Sequence, residues 1–161
     1  MLLGMSLETF TLVHVVLSLA GIGAGFVVLY GLFQAKALDG WTAVFLVTTV
    51  ATSVTGFLFL PVDRLLPSHV VGILSMVALG LAIVARYSFR LAGPWRRVYV
   101  IAAVVSLYFN VFVLVVQAFL KVPALHALAP KQEEPPFAIA QGVVLVAFVV
   151  LGTGATKRFR D

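Results

Sequence analysis

The sequence predicts an all-α protein, an integral membrane bundle of five transmembrane helices that forms a single domain over residues 1–161. Three observations predict this class. Hydrophobic residues make up 62% of the chain and charged residues only 11%, and the mean hydropathy is +1.13. A soluble domain carries about 25% charged residues, so this composition favours lipid over water as the main solvent. The chain also contains five apolar runs of about 20 residues, the length at which a helix crosses a bilayer.

Each apolar run is bounded by charged residues or by residues that end helices. Pro61 closes the second run, and Gly93 and Pro94 separate the third from the fourth. The connections are short except for the segment 121–136, "KVPALHALAPKQEEPP", which precedes the last run. The predicted helices, in chain order, are 8–33, 41–60, 68–89, 95–120 and 137–156.

Positive charge is divided unevenly between the two sides of this bundle. An excess of lysine and arginine marks the cytoplasmic side of a membrane protein. The sequence therefore predicts an N-terminus outside and a C-terminus in the cytoplasm. Three cationic residues fall outside, namely Arg64, Lys121 and Lys131. Eight fall on the predicted cytoplasmic side, namely Lys36, Arg86, Arg90, Arg96, Arg97, Lys157, Arg158 and Arg160.

The first helix carries a polar stripe that includes an ionisable side chain. His14, Ser18, Gly21 and Gly25 share one helical face, and the two glycines allow a second helix to approach closely. We therefore expect His14 to be neutral, to face the bundle and to bond a partner on the third, fourth or fifth helix. Its candidate partners are His69, Asn110, Gln117 and Gln141.

The remaining polar side chains give candidates for binding rather than for catalysis. The residues Ser18, Asn110, Gln117 and Gln141 could line a polar cavity, with Asn110 near mid-membrane. His14 and His69 are candidate cofactor ligands, and His126 could complete a metal site with them. Cysteine is absent, so the chain itself offers no thiolate for a metal or an iron–sulfur cluster.

Several segments resemble small multi-pass proteins of the bacterial inner membrane that have no assigned activity. These segments are "TSVTGFLF", "PSHVVGILSMVALGLAIVAR", "FNVFVLVVQAFLKVPALHALAP" and "EPPF". The resemblance implies a multi-pass protein of the bacterial inner (plasma) membrane. A looser resemblance is to membrane bundles of four or five helices that hold b-type haem. The residues that carry it are His14, and His69 together with Gly72. The usual second pair of haem histidines is missing, which excludes two haems.

Three functional interpretations remain open at this point. The first is a non-enzymatic bundle, either an accessory or assembly subunit of a larger membrane complex or a protein that associates with itself. The second is a redox or metal protein that binds one haem b, or a copper or zinc ion, through His14 and His69. The third is a small-solute transporter that uses Asn110 and Ser106 near mid-membrane. The bilayer is the expected partner in all three. Nucleic acid is not expected, because the positive charges lie in short clusters between apolar runs.

Overall fold

The computed structural model describes residues 4–59 and 67–160 and confirms the all-α fold. Within these ranges, five helices are long and apolar enough to cross a membrane. The predicted end of the second helix, Pro61 and Arg64 lie outside the described residues. The α-helices are α1 (Leu7–Phe33), α2 (Asp39–Phe57), α3 (Pro67–Ile83), α4 (Pro94–Lys121), α5 (Pro123–Leu128) and α6 (Pro135–Arg158).

Local sequence explains where most of these helices begin. The Ser6 hydroxyl accepts a hydrogen bond from the Thr9 N–H at 3.1 Å and so caps α1. Proline occupies the start of α4, α5 and α6, where its missing N–H would have no partner within the helix.

The structure differs from the sequence prediction at two connections. The long segment before α6 contains α5, a single short helix that begins at a proline. The third span does not remain α-helical to its end, because Val84–Ser88 widens into a π-helix. The N–H of Phe89 bonds the carbonyl of Val84, and a left-handed turn through Arg90 and Leu91 then leads to α4. Arg86 lies within this π-helix, four residues after the buried Ala82, and its side chain is buried.

The helix α4 lies at the centre of the bundle. It contacts α1, α3 and α6, and it is the most buried of the five spans. The helix α2 packs against α1 on one side and α3 on the other. The helix α6 packs mainly on α4 and leaves most of its length uncovered.

The glycine pair of α1 lies where α1 meets α2 and α4, which confirms that this face is inward. A methyl group added at Gly25 would lie 2.5 Å from Leu107 Cδ1 and 3.0 Å from Phe45 Cε2. At Gly21 it would lie 3.0 Å from the Thr49 hydroxyl oxygen. Only glycine allows three helices to approach this closely without displacing their side chains.

Candidate functional site

His14 is half-buried on α1 and bonds α2 rather than the helices that the sequence analysis expected. Its Nδ1 lies 2.8 Å from the Thr55 hydroxyl oxygen. The ring meets Phe59 edge-on at 5.2 Å between centroids, and its Cε1 lies next to Gly56. The expectation of a polar partner inside the bundle is therefore correct. The expectation of a partner on the third, fourth or fifth helix is wrong, because α2 is the neighbour that faces this stripe.

The hydrogen bonds of Thr55 determine which nitrogen of His14 donates. The Thr55 hydroxyl lies 2.7 Å from the carbonyl oxygen of Ala51 and 3.1 Å from that of Thr52, and carbonyl oxygens only accept. The hydroxyl proton therefore points along α2. In this arrangement Nδ1–H of His14 donates to Thr55. In a neutral imidazole this leaves the lone pair on Nε2.

His69 lies on the other side of α2. Its ring is 6.4 Å from the ring of Phe57, which also packs over Gly72. Phe57 follows Thr55 by about 200° around the helix axis, so the two side chains leave opposite faces of α2. His14 therefore contacts one face of α2 and His69 lies near the other. Ligation of one haem by this pair stays a prediction.

His126 belongs to a third environment. It is exposed on α5, and its Nδ1 lies 3.3 Å from the carbonyl oxygen of Phe119. Within residues 4–59 and 67–160, no three histidine or carboxylate side chains come together as a group that could hold a metal ion. The structure thus places the three candidate metal ligands apart from one another.

The residues predicted to line a polar cavity have separate hydrogen-bonding roles. Asn110 on α4 donates to the Thr49 hydroxyl on α2 at 3.1 Å, and Gln141 on α6 donates to the Phe112 carbonyl on α4 at 3.2 Å. Ser18 donates to the carbonyl of His14, one turn earlier in its own helix. Gln117 is exposed. Asn110 and Gln141 therefore connect neighbouring helices.

The sequence analysis missed a buried polar cluster at the opposite end of the bundle. The Arg86 side chain is 6% exposed, pairs with the exposed carboxylate of Asp39 and donates to the Ala37 carbonyl at 3.1 Å. Its guanidinium lies 5.3 Å from the ring centroid of Tyr99, whose hydroxyl meets Thr42. Among the described atoms, Nη1 of Arg86 is buried without a hydrogen-bond partner.

A signal for this cluster was present in the sequence. Arg86 lies inside the predicted third span, and an ionisable residue within a span requires a partner. The sequence analysis used its charge only to orient the helices. Asp39 precedes the predicted second span, so its pairing with Arg86 could not be read from either segment alone.

Comparisons of the chain with protein-family profiles, with curated proteins and with solved structures find no match. The fold and the contacts nevertheless define a multi-pass helical membrane protein.

Proposed function

We propose that the protein is a non-enzymatic membrane bundle that associates with a second copy of itself along α6. The observation that supports this proposal is the poor coverage of α6. In its most apolar stretch of 18 residues, 6% of the residues are buried, against 22% to 39% in the other four spans. One face of α6 is exposed from Ala138 to Val149 and consists of Ala138, Gly142, Leu145 and Val149.

The surroundings of the glycines also support association through this face of α6. Gly21, Gly25 and Gly154 each lie against a side chain of another helix, so the absence of a Cβ serves close packing within the chain. At Gly142 an added Cβ would meet nothing within 4 Å. Together with Ala138, Gly142 forms a small-xxx-small pair on the uncovered face, which is the pattern that permits a close helix–helix contact.

A second copy is the occupant that fits this face most directly. A two-fold axis beside α6 would place the same small and apolar residues opposite each other, and two-fold dimers use one self-complementary patch. The face carries no charged residue between Ala138 and Val149, so the parallel pairing of two copies with the same orientation meets no buried charge. Packing of small residues drives helix association in lipid, where the hydrophobic effect between helices is absent.

Cysteine cross-linking tests this proposal cleanly, because the chain has no cysteine of its own. We expect Leu145→Cys and Val149→Cys to form disulfide-linked dimers in native membranes under mild oxidation. The control Leu19→Cys lies on an exposed face of α1 and should stay monomeric. Adding Gly142→Ile to Leu145→Cys should lower the dimer yield. Equal cross-linking at all three positions, or none on α6, would contradict self-association through this face.

A second candidate function is favoured by the Thr55 contact of His14. An imidazole whose Nδ1–H bonds an acceptor presents Nε2 in the state that ligates haem iron, copper or zinc. Ligation by His14 alone does not require His69 to lie close to the bound group. A visible spectrum and elemental analysis of the purified protein test this reading. A Soret band that His14→Ala removes and His69→Ala retains is expected. A colourless, metal-free protein would contradict it.

A further inference from the structure

Charge is concentrated at one end of the bundle, and most of it is exposed. This end is formed by the α1–α2 connection, the α3–α4 connection and the end of α6. Among the described residues it holds eight cationic side chains and one carboxylate, whereas the other end holds two cationic side chains and three carboxylates. We call its six exposed cationic residues the basic end: Lys36, Arg90, Arg97, Lys157, Arg158 and Arg160.

Packing beneath the basic end brings its three segments together. The guanidinium of Arg96 on α4 lies 5.1 Å from the ring centroid of Phe159, just beyond α6. Tyr99 on α4 packs near the same Phe159 ring and lies under Arg86 of the π-helix. Phe33, the last residue of α1, contacts Gly154 of α6. The charges of the basic end are therefore held on one face of the fold.

The carboxylate at this end does not neutralise that charge. Asp39 pairs with the buried Arg86, which is not part of the basic end. In the part of the chain that the structure describes, no salt bridge joins any of the six exposed cationic residues to a carboxylate. Among the described residues, the six cationic side chains of the basic end are therefore not neutralised by a carboxylate.

Aromatic side chains show what surrounds it. The rings of Phe89 and Trp95 stack at 3.8 Å between centroids, and Phe89 directly precedes Arg90. Exposed aromatic residues at one level of a membrane protein mark the boundary between the hydrocarbon and the lipid headgroups. Phe89 is exposed, and so are three other aromatic side chains near the basic end, namely Tyr30, Trp41 and Tyr87. This belt places the cationic groups at the level of the lipid phosphates.

We propose that the basic end is a binding surface for anionic phospholipids, with Arg90 and Arg97 as the main contacts of the lipid phosphate. Guanidinium groups match phosphate oxygens in charge and geometry. Phe89 is exposed and directly precedes Arg90, so its ring offers apolar surface to the acyl chains of a lipid whose phosphate Arg90 contacts. The chemistry recognised is a phosphate group, and the aromatic belt favours a lipid over a free phosphate ion.

The two tryptophans of the chain provide the measurement, because Trp41 and Trp95 both lie near the basic end. The protein is reconstituted in phosphatidylcholine vesicles that contain either brominated phosphatidylglycerol or an equal fraction of brominated phosphatidylcholine. Bromine on the acyl chains quenches tryptophan on contact. We expect the anionic lipid to quench more strongly and salt to reduce the difference. Equal quenching by the two lipids would overturn the proposal.

Matched charge variants separate a specific surface from net charge. Arg90→Gln with Arg97→Gln should weaken the preference for phosphatidylglycerol by up to about fivefold for each charge removed. Lys121→Gln with Lys131→Gln removes the same charge at the opposite end and should leave the preference unchanged. Equal loss in both double variants would overturn the proposal. If the first pair lowers the helix content, Lys157→Gln with Arg158→Gln replaces it, with the same direction expected.

Adding inorganic phosphate distinguishes a lipid headgroup from a free phosphate ion as the bound group. We expect added phosphate to reduce the preference no more than sodium chloride of equal ionic strength does. Selective loss of the preference in phosphate would assign the surface to the free ion and overturn the lipid assignment.

Discussion

The His14 imidazole bonds a hydroxyl that already donates to its own helix, so the contact joins α1 to α2 by one interhelical hydrogen bond. Bonds of this kind contribute about 0.6 kcal/mol on average in membrane proteins. We therefore expect a double-mutant cycle of His14→Ala and Thr55→Val, measured by unfolding in detergent, to give a coupling of about 0.6 kcal/mol. Thr153→Val is the control, because that hydroxyl bonds only the carbonyl of Val149. A coupling as small as that of His14 with Thr153 would mean that the contact contributes nothing.

Gly25 is a position where the packing leaves no room for a larger side chain. Leucine at this position would collide with Leu107 and Phe45, and overpacking of this kind costs about 1–3 kcal/mol. We expect Gly25→Leu to lower the thermal unfolding temperature in detergent. Gly23 lies two residues away with open space around it, so Gly23→Leu should be tolerated. Similar melting curves for the two variants would show that α1 does not pack through Gly25.

At the scale of elements, the π-helix determines how the third span ends. It contains Arg86, whose buried guanidinium bonds Asp39 and Ala37 while lying over Tyr99. Both hydrogen bonds come from Nη2, and a lysine keeps the charge but lacks the planar guanidinium that lies over the Tyr99 ring at the same time. We expect Arg86→Lys to destabilise the protein by about 1.5–3 kcal/mol, the range for hydrogen bonds to charged groups.

The control for this change is Arg97→Lys, an exposed substitution at the start of α4. Both variants keep the net charge, so a difference in their melting temperatures reports the geometry of the buried cluster. If Arg86→Lys melts like Arg97→Lys, the cluster does not stabilise the junction of α2, α3 and α4.

For the whole molecule, the sequence predicted the helices far better than the contacts between them. Apolar length is a property of each segment alone, so all five spans were found, and the inward face of Gly21 and Gly25 followed from helical spacing. The partner of His14 depends on which helix lies beside α1, which no single segment encodes. The pairing of Arg86 with Asp39 was not predicted for the same reason, because it depends on which helices lie next to each other. The π-helix had no signal in the apolar pattern, because Val84–Ser88 reads as a continuation of α3.

The orientation of the whole bundle is the remaining prediction at this scale. The basic end carries the cationic excess that the positive-inside rule assigns to the cytoplasm. The C-terminal end of α6 should therefore lie on the cytoplasmic side and the N-terminus outside. We expect a fluorescent or enzymatic reporter fused after Asp161 to be active only in its cytoplasmic form. A fusion within the segment before α6, beside Lys131, should be active only in its exported form. The reverse pattern would place His14 and Thr55 in the cytoplasmic half of the membrane and the basic end outside. The preference of the basic end for anionic lipid would then concern the outer leaflet.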